Sequence, residues 1–253
     1  MSITEPKLVE VERHFAQFVR TVRGGTIVRD IIPDAPSMEP NADYYFADDN
    51  IIAELKCLHT EVDDRDQLNK RFLSVCQRLG YSAEHALSIA FRKAPLPRDV
   101  AQGVIRKSLN HVRDALRKAN RQISATKRQL GHTDALGLVI ISNEKNTGLT
   151  ATQLMRFMFQ ELRAMTDAHI DGLIYMTPNL YHAIEHDDVA RSLWLPAYRS
   201  ARTRLTDFVD ELGTAWCRFR EEFDGDLVAP TKLHEPPLSY FDVRPSLPAH
   251  IKK

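Results

Sequence analysis

Asn41 to His59 reads NADYYFADDNIIAELKCLH: two runs rich in aromatic and β-branched residues, 42–47 and 51–58, around the polar bend Ala47-Asp48-Asp49-Asn50. Arms of that composition joined by Asp and Asn predict a β-hairpin. If Asp48-Asp49 is a two-residue loop, Ala47 pairs with Asn50 and Asp43 stands opposite Glu54; if Asp49-Asn50 is the loop, Asp43 faces Lys56. Side chains alternate along a strand, so Glu54 and Lys56 share one face, and Asp43 joins them in either register. A three-residue loop with a bulge would break the arrangement.

On a wetted face, two carboxylates and an amine are ordinary cross-strand pairs worth fractions of a kcal/mol. The same trio also suits metal-dependent phosphodiester cleavage. Two hard oxygen ligands can hold Mg²⁺, with waters completing the octahedron. A bound ion acidifies a water and polarises a phosphoryl oxygen. A lysine two residues from a ligand can orient or deprotonate that water, or balance charge on the phosphate.

The order Asp43…Glu54-Leu55-Lys56 resembles the PD-(D/E)xK nuclease superfamily. That family often has Pro directly before the first Asp, whereas this chain has Pro40-Asn41-Ala42-Asp43. The resemblance implies that Asp43 and Glu54 bind Mg²⁺ (with Mn²⁺ as an alternative), aided by the Leu55 carbonyl, while Lys56 positions the attacking water. It also implies helpers on flanking helices. Glu12 on the first helix is the position for a further acid, and Gln122 on the helix after the hairpin is the position for a polar side chain directed at the site.

Composition bounds the rest. A chain of 253 residues, 43% of them hydrophobic, is long enough for one large domain or a core with an insertion. Its formal net charge of zero means that any basic footprint for nucleic acid is local. Cys57, Cys76 and Cys217 are few and widely spaced, which predicts neither a disulfide framework nor a zinc site and fits a reducing cytoplasm. No signal peptide is apparent, and no apolar run is long enough for a bilayer.

In order, residues 5–22 predict an amphipathic helix with Leu8, Val11, Phe15, Phe18, Val19 and Val22 as its stripe and Glu12 at the stripe's edge. Thr26–Ile32 predicts a first strand, followed by the hairpin. Residues 60–66 form an acidic run, then 66–79 and 82–92 predict two helices, so that 64–96 reads as a helical insertion. A long helix is expected over 99–130, ended by Gly131, with Val104, Ile105, Leu109, Val112, Leu116, Ile123 and Leu130 inward. Its outer face carries Arg113, Arg117, Lys118, Arg121, Lys127 and Arg128. Such a run is commonly a solvated face, and in a nuclease it is where a phosphate backbone would be gripped. Leu136–Ser142 reads as a central strand covered on both faces, 151–166 as a helix capped by Thr150 or Thr152, and Ile170–Thr177 as another strand. Beyond it, 197–222 predicts a helix with Tyr198, Leu205, Phe208, Val209, Leu212, Trp216 and Phe219 inward, with Trp194-Leu195-Pro196 anchoring the loop before it and a Pro-rich tail over 225–253.

The expected fold is therefore α/β, a mixed sheet flanked by helices. The order is similar to the αβββαβαβ arrangement of the restriction-endonuclease-like fold over residues 1–180, with 181–253 as a helical C-terminal extension. The activity implied is hydrolysis of phosphodiester bonds by a cytoplasmic nuclease, in DNA before RNA, acting as a homodimer if both strands are cut and with a regulatory or defence-system partner as a variant. The alternative is a non-catalytic nucleic-acid-binding or scaffold protein on the same fold. His169 with Asp171, and His182, Glu185 and His186, have metal-like spacings but no convincing third ligand. No Walker loop, dinucleotide fingerprint or nucleophile elbow is present.

Overall fold

The computed structural model describes residues 9–32, 40–59, 65–180, 192–200 and 202–224. Six strands form one sheet in sequence order: β1 (Gly25–Ile27), β2 (Tyr44–Phe46), β3 (Ile51–Leu58), β4 (Leu136–Asn143), β5 (Gly172–Met176) and β6 (Trp194–Tyr198). The first three make an antiparallel meander, β3, β4 and β5 run parallel, and β6 returns antiparallel at the far edge. Parallel neighbours need crossovers, and helices supply them.

The hairpin pairs Tyr44 with Ala53, Tyr45 with Ile52 and Phe46 with Ile51, the first of the two registers weighed from sequence. Its bend is longer than a two-residue loop. Ala47–Asp49 makes a single 3-10 turn, and Asn50 closes it in the left-handed region at φ 50°, which Asn tolerates.

Alternation along the central strands sorts side chains to two faces. Leu138 and Ile140 of β4 join Ala53 and Leu55 of β3 under α1 (Val11–Val19) and α8 (Thr203–Asp224). Val139 and Ile141 join Ile52 and Leu58 under α6 (Asn110–Leu130) and α7 (Ala151–Ala164). All eight residues of β4 are buried, as the unbroken apolar run requires. Val11, Phe15, Phe18 and Val19 are the buried stripe of α1, and Leu8 lies outside the described residues. Thr150 and Gln153 form a capping box at the start of α7.

Several elements differ from the sequence pattern. Thr26–Ile32 is not one strand. The ladder stops at Ile27, and α2 (Val28–Ile31) follows as a helical turn whose Val28 N–H still donates to the Asp43 carbonyl at 2.9 Å. The helix expected over 99–130 breaks at Leu109 into α5 (Arg98–Ser108) and α6. Leu109 and α6 belong to the sheet core, whereas Val100 and Val104 of α5 pack with Phe72, Val75 and Cys76 of α3 (Arg65–Arg78) and Ala86 of α4 (Ala83–Ala90). The helical insertion thus runs through Ser108 and has a small core of its own, and Ile105 is exposed rather than inward.

Trp194–Tyr198 is a strand, with Pro196 at the sheet edge where a missing N–H costs no ladder bond. Tyr198 therefore belongs to β6 and not to a helix. Nor is the C-terminal part an extension. Trp216 of α8 packs its ring 5.1 Å from Phe15 and 5.2 Å from Phe18 of α1, and Phe208 lies 4.9 Å from Phe46 of β2. Such pairs add about 0.5–1.5 kcal/mol each beyond burial, and here they join α8 to α1 and β2 in one core layer. The Pro-rich tail, residues 60–64 of the acidic run, and His182, Glu185 and His186 lie outside the described residues. No described helix is long and apolar enough to cross a membrane.

Candidate active site on the open edge of the third strand

The ladder between β2 and β3 ends at Tyr44–Ala53, so Asp43 stands opposite Glu54 one step further on. From Glu54 to Leu58 the β3 edge has no β2 partner, and the Asp43 side chain covers its beginning: Oδ2 accepts the Leu55 N–H at 2.9 Å. Because a strand residue projects its N–H and C=O to the same edge, the Leu55 carbonyl looks the same way.

Glu54 and Lys56 lie on the α6 face, as their alternation with Ala53, Leu55 and Cys57 demands. Lys56 Nζ contacts Glu54 Oε1 and donates to Gln122 Oε1 at 2.9 Å. Gln122 Nε2 in turn donates to the Asn41 carbonyl at 2.8 Å, and Ala42 N–H donates to Thr126 Oγ1 at 2.7 Å. Gln122 and Thr126 are four apart and so share one flank of α6. That flank holds both the lysine head and the backbone that delivers Asp43. Thr126 was not singled out from sequence, although its spacing from Gln122 is the signal that could have found it.

Glu54 is fully buried; its Oε2 meets no donor when the carboxyl is ionised, and the protonated carboxyl hydrogen-bonds to Asp43. Burial, then the like charge of Asp43, push its carboxyl up to about 8 against the pull of Lys56. The Asp43 carboxyl is raised too, first by burial; the Leu55 N–H and Lys56 oppose that, and the charge of Glu12 adds to it. A coupled pair of this kind retains a proton near neutrality. Two facing carboxyls beside a strand carbonyl are an all-oxygen donor set that suits a hard cation such as Mg²⁺. The residues fit that ion.

Glu12 is exposed on α1 and belongs to the other face of the sheet, where its carboxylate lies with Cys57 and His59. It bears on Asp43 through charge rather than as a member of the trio.

The basic residues of α6 do not make one band. Arg113 forms a two-pronged pair with Glu161 of α7 at 2.9 and 3.0 Å and stacks over Phe157, so it holds two helices together. Lys127 is buried, donates to the His169 carbonyl at 3.3 Å and lies 3.9 Å from Asp171. Both lie on the flank away from Gln122, drawn inward by Glu161, Asp171 and the His169 carbonyl. Arg121 and Arg128 line a polar depression with Asn120, Ser124, Asp167 and His169, also away from the trio. Lys118 is exposed one turn before Gln122 on the trio's own flank, and Arg117 is exposed between the two sides. His169 and Asp171 serve the fold: Asn120 takes the His169 N–H, and Asp171 takes the Gly137 N–H.

No protein-family profile, curated protein or solved structure matches this chain.

Proposed function

We propose that this protein is a Mg²⁺-dependent nuclease built on a restriction-endonuclease-like core, acting on DNA in preference to RNA. The observation that carries the reading is the convergence of Asp43, Glu54 and Lys56 at an open strand edge, with the Glu54 carboxyl buried against Asp43. The order of elements supports it: α1, the meander β1–β3, a crossover ending in α6, then β4, α7 and β5 follow the αβββαβαβ sequence with one helical insertion.

In this reading Asp43 and Glu54 hold the cation, with the Leu55 carbonyl beside them. The bound ion supplies an acidified water and a polarised phosphoryl oxygen. Lys56, steadied by Gln122, places the attacking water and offsets the charge that grows on the phosphate. Asn41 and Thr126 keep Asp43 in place through the backbone. Lys118, on the same helix flank, is the side chain best placed to meet a neighbouring phosphate.

Incubation of supercoiled plasmid, single-stranded DNA and RNA with the purified protein tests the proposal. Cutting should require Mg²⁺ or Mn²⁺ and stop in EDTA; a protein inert on all three substrates with either ion would overturn it. A second expectation separates grip from scaffold. Lys118→Ala should weaken DNA binding and lower the slope of log affinity against log salt by about one. Arg113→Ala should instead lower thermal stability, having lost a two-pronged ion pair between α6 and α7, and leave the salt slope unchanged. Fluorescence anisotropy across a salt series, with melting curves for both variants, reads both effects.

A further inference from the structure

We propose that Glu12, Cys57 and His59 form a second metal site, separate from the carboxylate pair and suited to a zinc-class divalent ion. Cys57 is the next-to-last residue of β3, and His59 lies just beyond the strand. Two residues apart at a strand end, they reach the same side. That side is the α1 face, and α1 brings Glu12 across to them. The three donor atoms all lie within 4.8 Å of one another.

Bond lengths argue for a shared ion. Zinc binds sulfur near 2.3 Å and nitrogen or oxygen near 2.0–2.2 Å, which places tetrahedral ligand atoms about 3.3–3.8 Å apart. Small side-chain rotations close the remaining gap, and Glu12 and His59 are exposed and able to make them. The chemistry argues for which ion. Sulfur, imidazole nitrogen and one carboxylate are a borderline-soft set that favours zinc over magnesium, whereas Asp43, Glu54 and the Leu55 carbonyl are all oxygen. The two donor sets lie on opposite faces of the same strand, so each selects its own cation. Glu144, whose charge also reaches Cys57, is held by Ser142 and Asn179 and is not counted as a ligand.

Three protein ligands leave a fourth position open to water, the pattern of accessible rather than closed zinc sites. The ion would pin α1 to the end of the strand that carries Lys56. The three cysteines are too scattered along the chain to suggest such a site by spacing. Strand alternation sets His59 beside Cys57, and the tertiary fold brings Glu12 to both.

The test uses the full chain, stripped of metal and titrated with Co²⁺ as a spectroscopic stand-in, then with Zn²⁺ against a chromophoric chelator. Wild type should develop a thiolate-to-cobalt charge-transfer band that saturates at one thiolate-bound Co²⁺ per chain, any Co²⁺ on the carboxylate pair adding nothing to that band, and Zn²⁺ should displace it. Cys57→Ser should abolish the band. His59→Ala and Glu12→Gln should each weaken Zn²⁺ binding by at least 10–100-fold, the loss that follows even from removing a partner of a ligand. Glu54→Gln should leave the cobalt spectrum unchanged, so failure here is distinguishable from failure of the nuclease reading. A wild-type protein with no thiolate band at saturating Co²⁺ would overturn the proposal whatever the variants do. So would a band that survives Cys57→Ser, which would assign the thiolate to Cys76 or Cys217.

Discussion

Glu54→Gln is expected to reduce Mg²⁺-dependent cleavage by at least about 10³-fold, and Lys56→Ala by about 10²–10⁴-fold, with the fold intact in both. The glutamine keeps the volume of a fully buried side chain and can still accept from Lys56. It loses the carboxylate oxygen that meets no donor when ionised. A neutral amide is a poor ligand for a hard dication, so the site should lose the ion rather than bind it in a new place. The lysine variant asks a different question. Gln122 and Glu54 hold the Lys56 head, and its removal leaves both carboxylates available to metal but no cation near the phosphate. Single-turnover rates at several Mg²⁺ concentrations separate the two. Glu54→Gln should fail at every concentration, and Lys56→Ala should bind metal yet turn over slowly. Cutting by Glu54→Gln within a few-fold of wild type would remove the carboxylate pair from the mechanism.

The second large effect concerns stability, and its direction follows from the same pair. In the unfolded chain a glutamate loses its proton near pH 4.3. In the folded protein Glu54 keeps it up to about 8, because burial and the charge of Asp43 oppose ionisation. Across that window the native state binds the proton and the unfolded state does not, so stability falls as pH rises and levels off above the folded value. Each pKa unit is worth about 1.4 kcal/mol, and the shift spans several units, so the loss amounts to several kcal/mol. Melting temperatures measured in EDTA from pH 5 to pH 9 should therefore decline for wild type relative to Glu54→Gln, which mimics the protonated carboxyl at every pH. The two curves should meet near pH 5 and diverge by about 10 °C or more at pH 8, at about 2–4 °C per kcal/mol for a protein of this size. Mg²⁺ at pH 8 should recover much of the loss in wild type and none in the variant, since a ligand that binds only the folded state stabilises it. A difference curve that stays flat from pH 5 to pH 9 would mean that the buried pair carries no such strain. Divergence of the two curves would make the inactive variant the more stable protein at alkaline pH, the trade expected where a site is arranged for binding rather than for folding.

Much of this arrangement was legible in one dimension because it depends on local periodicity. Alternation along Ile51–Leu58 places Glu54 and Lys56 on one face whatever surrounds them, and the hairpin's count puts Asp43 on that face too. The i, i+3, i+4 stripe of Val11, Phe15, Phe18 and Val19 and the unbroken run of β4 are equally local, and they made an α/β sheet with helices on both faces readable. Other features depend on partners distant in sequence. Trp194–Tyr198 contains a proline and little alternation, and it is a strand because the edge of β5 needs one. The break at Leu109 reflects two competing cores, since the sheet takes Leu109 and α3 takes Val100 and Val104. Arg113 and Lys127 looked like part of an exposed basic face until Glu161, Asp171 and the His169 carbonyl, all on later elements, drew them inward. Glu12, Cys57 and His59 meet because α1 lies across the end of β3, with 44 positions of chain between the first two. Periodicity determined which faces exist and what lies on each; packing decided what those faces meet, because burial rewards contacts without regard to separation along the chain.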